Sequence, residues 1–113
     1  MKIKAIFHID EYEKWDLLLT NVGNLLKGID ITDAHVAIVA NANAVTRYKK
    51  DSGSDNTVLE ELARKGVIVI ACNNALNMFN IEKEMLYHYV QVVPIGVKDI
   101  IEKQLEGYAY IKP

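Results

Sequence analysis

The sequence has one cysteine, two prolines and no excess of either charge, with thirteen Lys and Arg against fifteen Asp and Glu in 113 residues, a formal net charge of −2. A lone thiol cannot close an intramolecular disulfide, so Cys72 is expected reduced, in a cytoplasmic setting. The near-balanced charge removes the long-range field that draws proteins to phosphate backbones or anionic lipid, and neither nucleic acid nor a membrane is an expected partner. The densest basic cluster, Arg47, Tyr48, Lys49 and Lys50, reads as the solvated end of a short helix. The apolar run near Met1 is too short for a signal peptide or a membrane span. Neither a Walker loop nor a GxGxxG follows the first apolar run, so the usual backbone cradle for nucleotide phosphates is missing and no cofactor is expected.

Half of the residues are hydrophobic and a quarter are charged, the composition of a globular chain, and the length suits one domain spanning residues 1–113. Residues 3–9 form a β-rich run. Asp10 followed by Glu13 then gives a capping-box pattern for a helix. Trp15, Leu18, Leu19, Val22, Leu25 and Leu26 recur at helical spacing, and Gly28 is placed to end that helix in a left-handed conformation. Residues 34–40 read as a strand buried on both faces, 42–50 as a short helix and 51–56 as a loop. A helix carrying Leu59, Leu62 and Ala63 ends at Gly66, and 67–71 is the clearest buried strand. Asn73 and Asn74 serve as caps for a short helix over 75–78, with a further helix over 81–87. A strand over 89–93, a turn at Pro94 and Gly96, a helix bearing Val97, Ile100, Ile101 and Leu105, and a closing strand over 108–111 complete the order.

This alternation predicts an α/β three-layer sandwich, flavodoxin-like or Rossmann-like, with a mostly parallel sheet of about five strands covered on both faces. In such sheets ligands bind beyond the carboxyl ends of the strands, which is where His8, Asn41 and Cys72 fall. Cys72 has two readings. As the end of an apolar strand it is a small core side chain. As the residue before a helix it faces unpaired N–H groups that favour a thiolate, with His8 the one candidate for help through space. His8, Asp10 and Glu11 crowd one loop, but that loop offers too few ligands for a metal, and no metal site is expected. His35 and His88 flank strands, where their positions alone do not bring them to the sulfur.

Five sets of residues, in this order and spacing, run nearly end to end: His8-x-Asp10-Glu11 with Lys14-Trp15; Asn24-Leu25-Leu26; Gly66-Val67 leading to Ala71-Cys72-x-Asn74-x-Leu76; Val93-Pro94-x-Gly96-Val97; and Gln104-x-x-Gly107-Tyr108-x-Tyr110-Ile111-Lys112-Pro113. In them the chain resembles the DsrE/DsrF-like sulfur-relay family, in its branch of small stand-alone proteins. The resemblance implies a flavodoxin-like fold assembled as a homotrimer or hexamer, with a cysteine at the place of Cys72 carrying sulfane sulfur as a persulfide in some members. One departure stands out: better-understood carriers have basic residues in the helix after the cysteine, where this chain has Asn77-Met78-Phe79-Asn80.

The expected function is therefore a sulfur carrier, with Cys72 holding the sulfur between donor and acceptor proteins and His8, Asn41 and Asn74 lining its pocket. Such a protein is closer to a carrier than to an enzyme that turns over alone. The alternative is an oligomeric small-ligand or interaction module in which Cys72 is a buried structural residue.

Overall fold

The computed structural model describes residues 2–113. Its centre is one five-stranded parallel sheet in the order β4-β3-β2-β1-β5, with β1 Ile3–Ile9, β2 Ala34–Ala40, β3 Ile68–Cys72, β4 Val90–Val93 and β5 Ala109–Ile111. The helices are α1 Trp15–Lys27, α2 Thr57–Arg64, α3 Asn73–Met78 and α4 Gly96–Leu105. The expected α/β sandwich is observed, and its two faces are covered unequally for a topological reason. The chain steps in one direction from β1 to β4, then returns past the whole sheet to set β5 beside β1. Right-handed crossovers put α1, α2 and α3 on one face during the outward steps and only α4 on the other during the return.

The packing follows that division. The larger core joins Phe7, Trp15, Leu18, Val22, Ile38, Tyr48, Leu59 and Leu76, while the smaller one joins Ile6, Ala37, Val39, Ile70 and Ile100 beneath α4. The central strands β1, β2 and β3 feed both cores by simple alternation, which is why β2 and β3 are apolar almost throughout.

Several local expectations are corrected. No capping box forms: the chain enters α1 through a 3₁₀ turn at Tyr12–Lys14 with Glu11 as its uncapped leading residue, and the Asp10 carboxylate instead meets Lys112 Nζ at 3.1 Å. Gly28 ends α1 at φ −101°, outside the left-handed region, whereas Gly66 ends α2 at φ +108°. Asn73 and Asn74 lie inside α3, and Cys72 itself is the residue that precedes it. The helix expected over 81–87 shrinks to one 3₁₀ turn, Lys83–Met85. Asn80 at φ +55° closes α3 in a Schellman arrangement, with Ile81 N–H donating to Leu76 C=O at 2.9 Å. Beyond it Lys50 N–H takes the Met85 carbonyl and Tyr87 N–H takes that of Tyr48, so these groups are spent across the chain and not along a helix. The basic cluster is only half solvated, since Lys50 is exposed while Arg47 and Tyr48 are buried. Arg47 Nε donates to Asn56 Oδ1 at 2.7 Å and its guanidinium lies over the Trp15 ring.

Burial also perturbs two phenols. Tyr48 is fully buried, donates to the Ile70 carbonyl at 3.1 Å, and its ionisation is pushed well above the usual tyrosine range by desolvation. Tyr89 is pushed up to about 12, chiefly by burial and then by neighbouring Tyr87 and Glu60. Both phenols stay neutral in the folded chain while they ionise near 10 in the unfolded one, so above that pH the unfolded state binds fewer protons. Stability from this source is whole below pH 10 and falls as pH rises toward 12. A tyrosinate absorbance titration should show two late-ionising phenols whose ionisation coincides with loss of the folded circular dichroism signal, and early, non-cooperative ionisation of all six tyrosines would contradict this.

Candidate functional site

The carboxyl ends of β1, β2, β3 and β5 form one crest of the sheet, and the residues singled out by position stand along it in two separate groups. The first is a polar chain. His8, near the end of β1, is bonded through Nε2 to Asn41 Oδ1 at 3.0 Å and through Nδ1 to the Tyr110 hydroxyl at 2.6 Å. With Oδ1 as acceptor, Nε2 carries the donated proton, and in the neutral ring Nδ1 accepts from Tyr110.

Tyr110, named in the sequence only as part of the closing stretch, was not among the candidate site residues. It belongs to β5, which the return crossover places in register with β1, Ile6 opposite Tyr110 and Phe7 opposite Ile111. The strand order reverses between β1 and β5, which brings the two ends of the chain to one side of the crest. Asn41 is held there by its backbone, since its N–H donates to Ile9 C=O at 3.0 Å, and the next residue, Ala42, adopts φ +50°. That is an unfavourable conformation for a residue with a Cβ, of order 1 kcal/mol or more, and it turns the chain sharply just past the Asn41 side chain.

The second group is Cys72 and its cover. Cys72 closes β3, pairs with Val93 of β4, and is 6% exposed. At the end of the strand its side chain packs with the larger core and also meets the first residue of α4. A Cβ built at Gly96 would stand 3.0 Å from Cys72 Cβ, 3.6 Å from its Sγ and 3.5 Å from Val39 Cγ1. The residue leading into α4, Ile95, supplies no side-chain cap, and the first amide to bond back is that of Asp99, to Ile95 C=O. The amides of Gly96, Val97 and Lys98 are thus left without acceptors in their own helix.

His8 and Cys72 are not partners. His8 is level with Val39 and hence with Ile70, so Cys72 lies two strands across and two residues further along. Two strand spacings alone amount to about 9.5 Å. Both ring nitrogens of His8 are already engaged, so the expected help from His8 to the sulfur has no direct route. Asn74 is exposed on α3 and joins neither group. The structure therefore gathers His8 and Asn41, adds Tyr110, and leaves Cys72 and Asn74 outside that chain of hydrogen bonds. Broader clefts lie elsewhere, one of about 590 Å³ lined by Asp16, Leu19, Thr20, Arg47, Ser54, Asp55 and Val58.

The profile of the DsrE/DsrF-like family matches residues 8–113, from the histidine of the polar chain to the last residue. The chain belongs to the DsrE/DsrF-like family. Among solved structures it is similar to MTH1491 from Methanobacterium thermoautotrophicum, described as a protein of unknown function, at 33% identity and a TM-score of 0.89 over 98% of this chain and 99% of that one. It also shares its fold with the ychN protein from E. coli, at 16% identity and a TM-score of 0.81 over the whole of both chains. No curated protein is a match. Among the described residues no helix is long and apolar enough to cross a membrane.

Proposed function

We propose that this DsrE/DsrF-like protein is a sulfur carrier that holds sulfane sulfur as a persulfide on Cys72. The observation that carries the reading is the placement of the only thiol at the carboxyl end of a central strand, with its sulfur against the uncapped first turn of α4. The Cys72 thiolate attacks the outer sulfur of a donor persulfide. A new S–S bond forms at Cys72, the donor's S–S bond breaks, and its electron pair leaves on the donor thiolate. An acceptor thiolate then attacks the outer sulfur in turn and Cys72 leaves, so the cycle is redox-neutral and needs no cofactor. Donor and acceptor are proteins or small molecules bearing a reactive thiol. Intact-protein mass spectrometry after exposure to inorganic polysulfide tests the reading: a reductant-reversible gain of about 32 Da, one sulfur atom, supports it, and none under conditions that load a control thiol overturns it.

The competing reading, a ligand-binding or interaction module with a structural cysteine, draws on the low exposure of Cys72. A small alkylating reagent separates the two, because a structural sulfur reacts only after unfolding.

Assembly is part of the same proposal. Val97, Ile101 and Leu105 recur every four residues along the outer face of α4 and are 54%, 52% and 84% exposed, with Ile95 beside them. An apolar stripe on the one helix of the thinner face suits burial against further copies of this chain as a homotrimer or hexamer. Sedimentation should give a species of that size, and a stable monomer at micromolar concentration would contradict it.

A further inference from the structure

We infer that the seam between α1 and α2 is a second binding site, which takes a small amphiphilic carboxylate with its anionic end on Arg47 and its alkyl chain laid along α1 over Gly23. The inference is independent of the sulfur chemistry, since neither Cys72 nor any member of the His8–Asn41–Tyr110 chain lines this seam. It begins with a charge that the fold leaves unneutralised. Arg47 is 9% exposed, yet among the described residues no carboxylate is within ion-pair distance of its guanidinium. Its Nε donates to Asn56 Oδ1 at 2.7 Å and its Nη2 to the Asp55 carbonyl at 3.2 Å, both neutral acceptors, and Nη1 has no acceptor among the described residues. A buried cation with unspent donors, in the wall of a cleft of about 590 Å³, is matched by an anion that offers two oxygens to a planar fork. The carboxylates of the same lining do not serve. Asp55 Oδ1 is spent on the amide and hydroxyl of Thr57, and Asp16 is exposed in the first turn of α1.

The cleft does not end at Arg47. Val58, half exposed, lines both it and a neighbouring groove of about 450 Å³ whose apolar walls are Leu26, Ile31 and Leu62. The α1 residues lining the two, Asp16, Leu19, Thr20, Gly23, Leu26 and Lys27, succeed one another turn by turn. A single helix face therefore floors one trough, about 16 Å long at 1.5 Å per residue. Gly23 stands at its middle. Glycine in a helix interior weakens the helix, and no positive φ calls for it here. A Cβ built at Gly23 would meet nothing within 4 Å, so no packed neighbour excludes a side chain either. The missing side chain leaves open trough where an alkyl chain running from Arg47 toward Leu26 and Leu62 has to cross. At the far end Lys27, Glu61 and Lys65 are exposed, so the buried cation is at the Arg47 end alone. Because α1 and α2 lie on the sheet face opposite α4, assembly through the α4 stripe leaves the trough open.

The test titrates decanoate, below its micelle concentration, into the intact isotope-labelled chain and follows the backbone amides by NMR. Butyrate, a head without a tail, and decylammonium, a tail with the opposite charge, are the comparisons. Saturable shifts are expected at Thr20, Gly23, Val58 and Leu62 with decanoate, with decylammonium and butyrate at least about tenfold weaker. Two variants address the two halves of the site. Gly23→Leu fills the trough and should weaken decanoate at least about tenfold while melting no lower than wild type, since leucine is the better helix former. Arg47→Lys keeps a positive charge but gives up the fork, and should weaken decanoate by a similar factor.

Shifts that never saturate, or that fall on Val97, Ile101 and Leu105 instead, overturn the inference. So does decanoate affinity that is unchanged in Gly23→Leu or in a folded Arg47→Lys. Decylammonium binding as tightly as decanoate overturns it as well, because the polar end of the cleft would then belong to Asp16 and Asp55. Should Arg47→Lys fail to fold, Gly23→Leu and the decylammonium comparison decide without it.

Discussion

Exposed to polysulfide, the wild-type protein should gain a single sulfur, and Cys72→Ser should gain none at any dose. The effect is all or nothing because the chain has no second thiol to take over. The choice of control matters at a site this buried. Serine replaces the sulfur with a hydroxyl that must find a partner, and where it finds none the desolvation penalty is about 1–3 kcal/mol. Cys72→Ala removes the sulfur without adding a polar group, leaving only a small void between Val39 and Gly96. If both variants lose the adduct while Cys72→Ala melts close to wild type, the loss belongs to the chemistry of the sulfur and not to a damaged fold. An adduct that persists in either variant would mean that sulfur is held non-covalently, and the pocket reading would replace the carrier.

The parts of this molecule that are local were legible in the sequence, and those made by distant partners were not. The strands over 3–9 and 34–40 are observed with the expected bounds, because a run of apolar residues of that length has few other ways to be buried. Ile68–Cys72 is offset by one residue from the expected 67–71, since pairing of Cys72 with Val93 extends the ladder to the cysteine itself. Asp10 looked like a helix cap because the rule counts three residues forward, while its true partner, Lys112, comes from the other end of the chain.

The contact of Tyr110 with His8 was not foreseen for the same reason: it exists only because β5 returns beside β1, and aromatic residues in a closing strand carry no signal of that placement. Arg47 read as solvated from its charged neighbours, yet it is enclosed by Asn56 and the Trp15 ring, contacts that depend on how the 51–56 loop folds back. At the site, the crest residues were identifiable from strand ends alone. Their division into a His8–Asn41–Tyr110 chain and a separate Cys72–Gly96 contact depends on strand order and the pleat, which sequence spacing does not encode.

Trp15→Ala should lower stability by about 3–5 kcal/mol, a large share of the roughly 5–15 kcal/mol that holds a typical domain. Trp15 is completely buried at the head of α1, in edge-on contact with Tyr48 at 5.4 Å between ring centroids and beneath the Arg47 guanidinium. Its indole Nε1–H donates to Ala44 C=O at 2.9 Å. Alanine therefore leaves a cavity, an orphaned carbonyl and an arginine without its aromatic floor. Trp15→Phe keeps most of the packing but not the hydrogen bond, and should cost roughly 1–3 kcal/mol.

The consequence reaches the crest because Ala44 lies in the 3₁₀ segment Ala42–Tyr48 that begins just after Asn41. Ala42, at φ +50°, is the first residue of that segment, and Asn41, whose Oδ1 accepts from His8, directly precedes it. Once Trp15 no longer ties it down, the strain at Ala42 can relax and the Asn41–His8 bond should open before the sheet melts. Urea titration measures the first effect, and faster solvent exchange of the His8 Nε2 proton by NMR measures the second. A Trp15→Ala protein that is strongly destabilised yet keeps that proton protected would show that the sheet alone positions Asn41, with no contribution from the tryptophan.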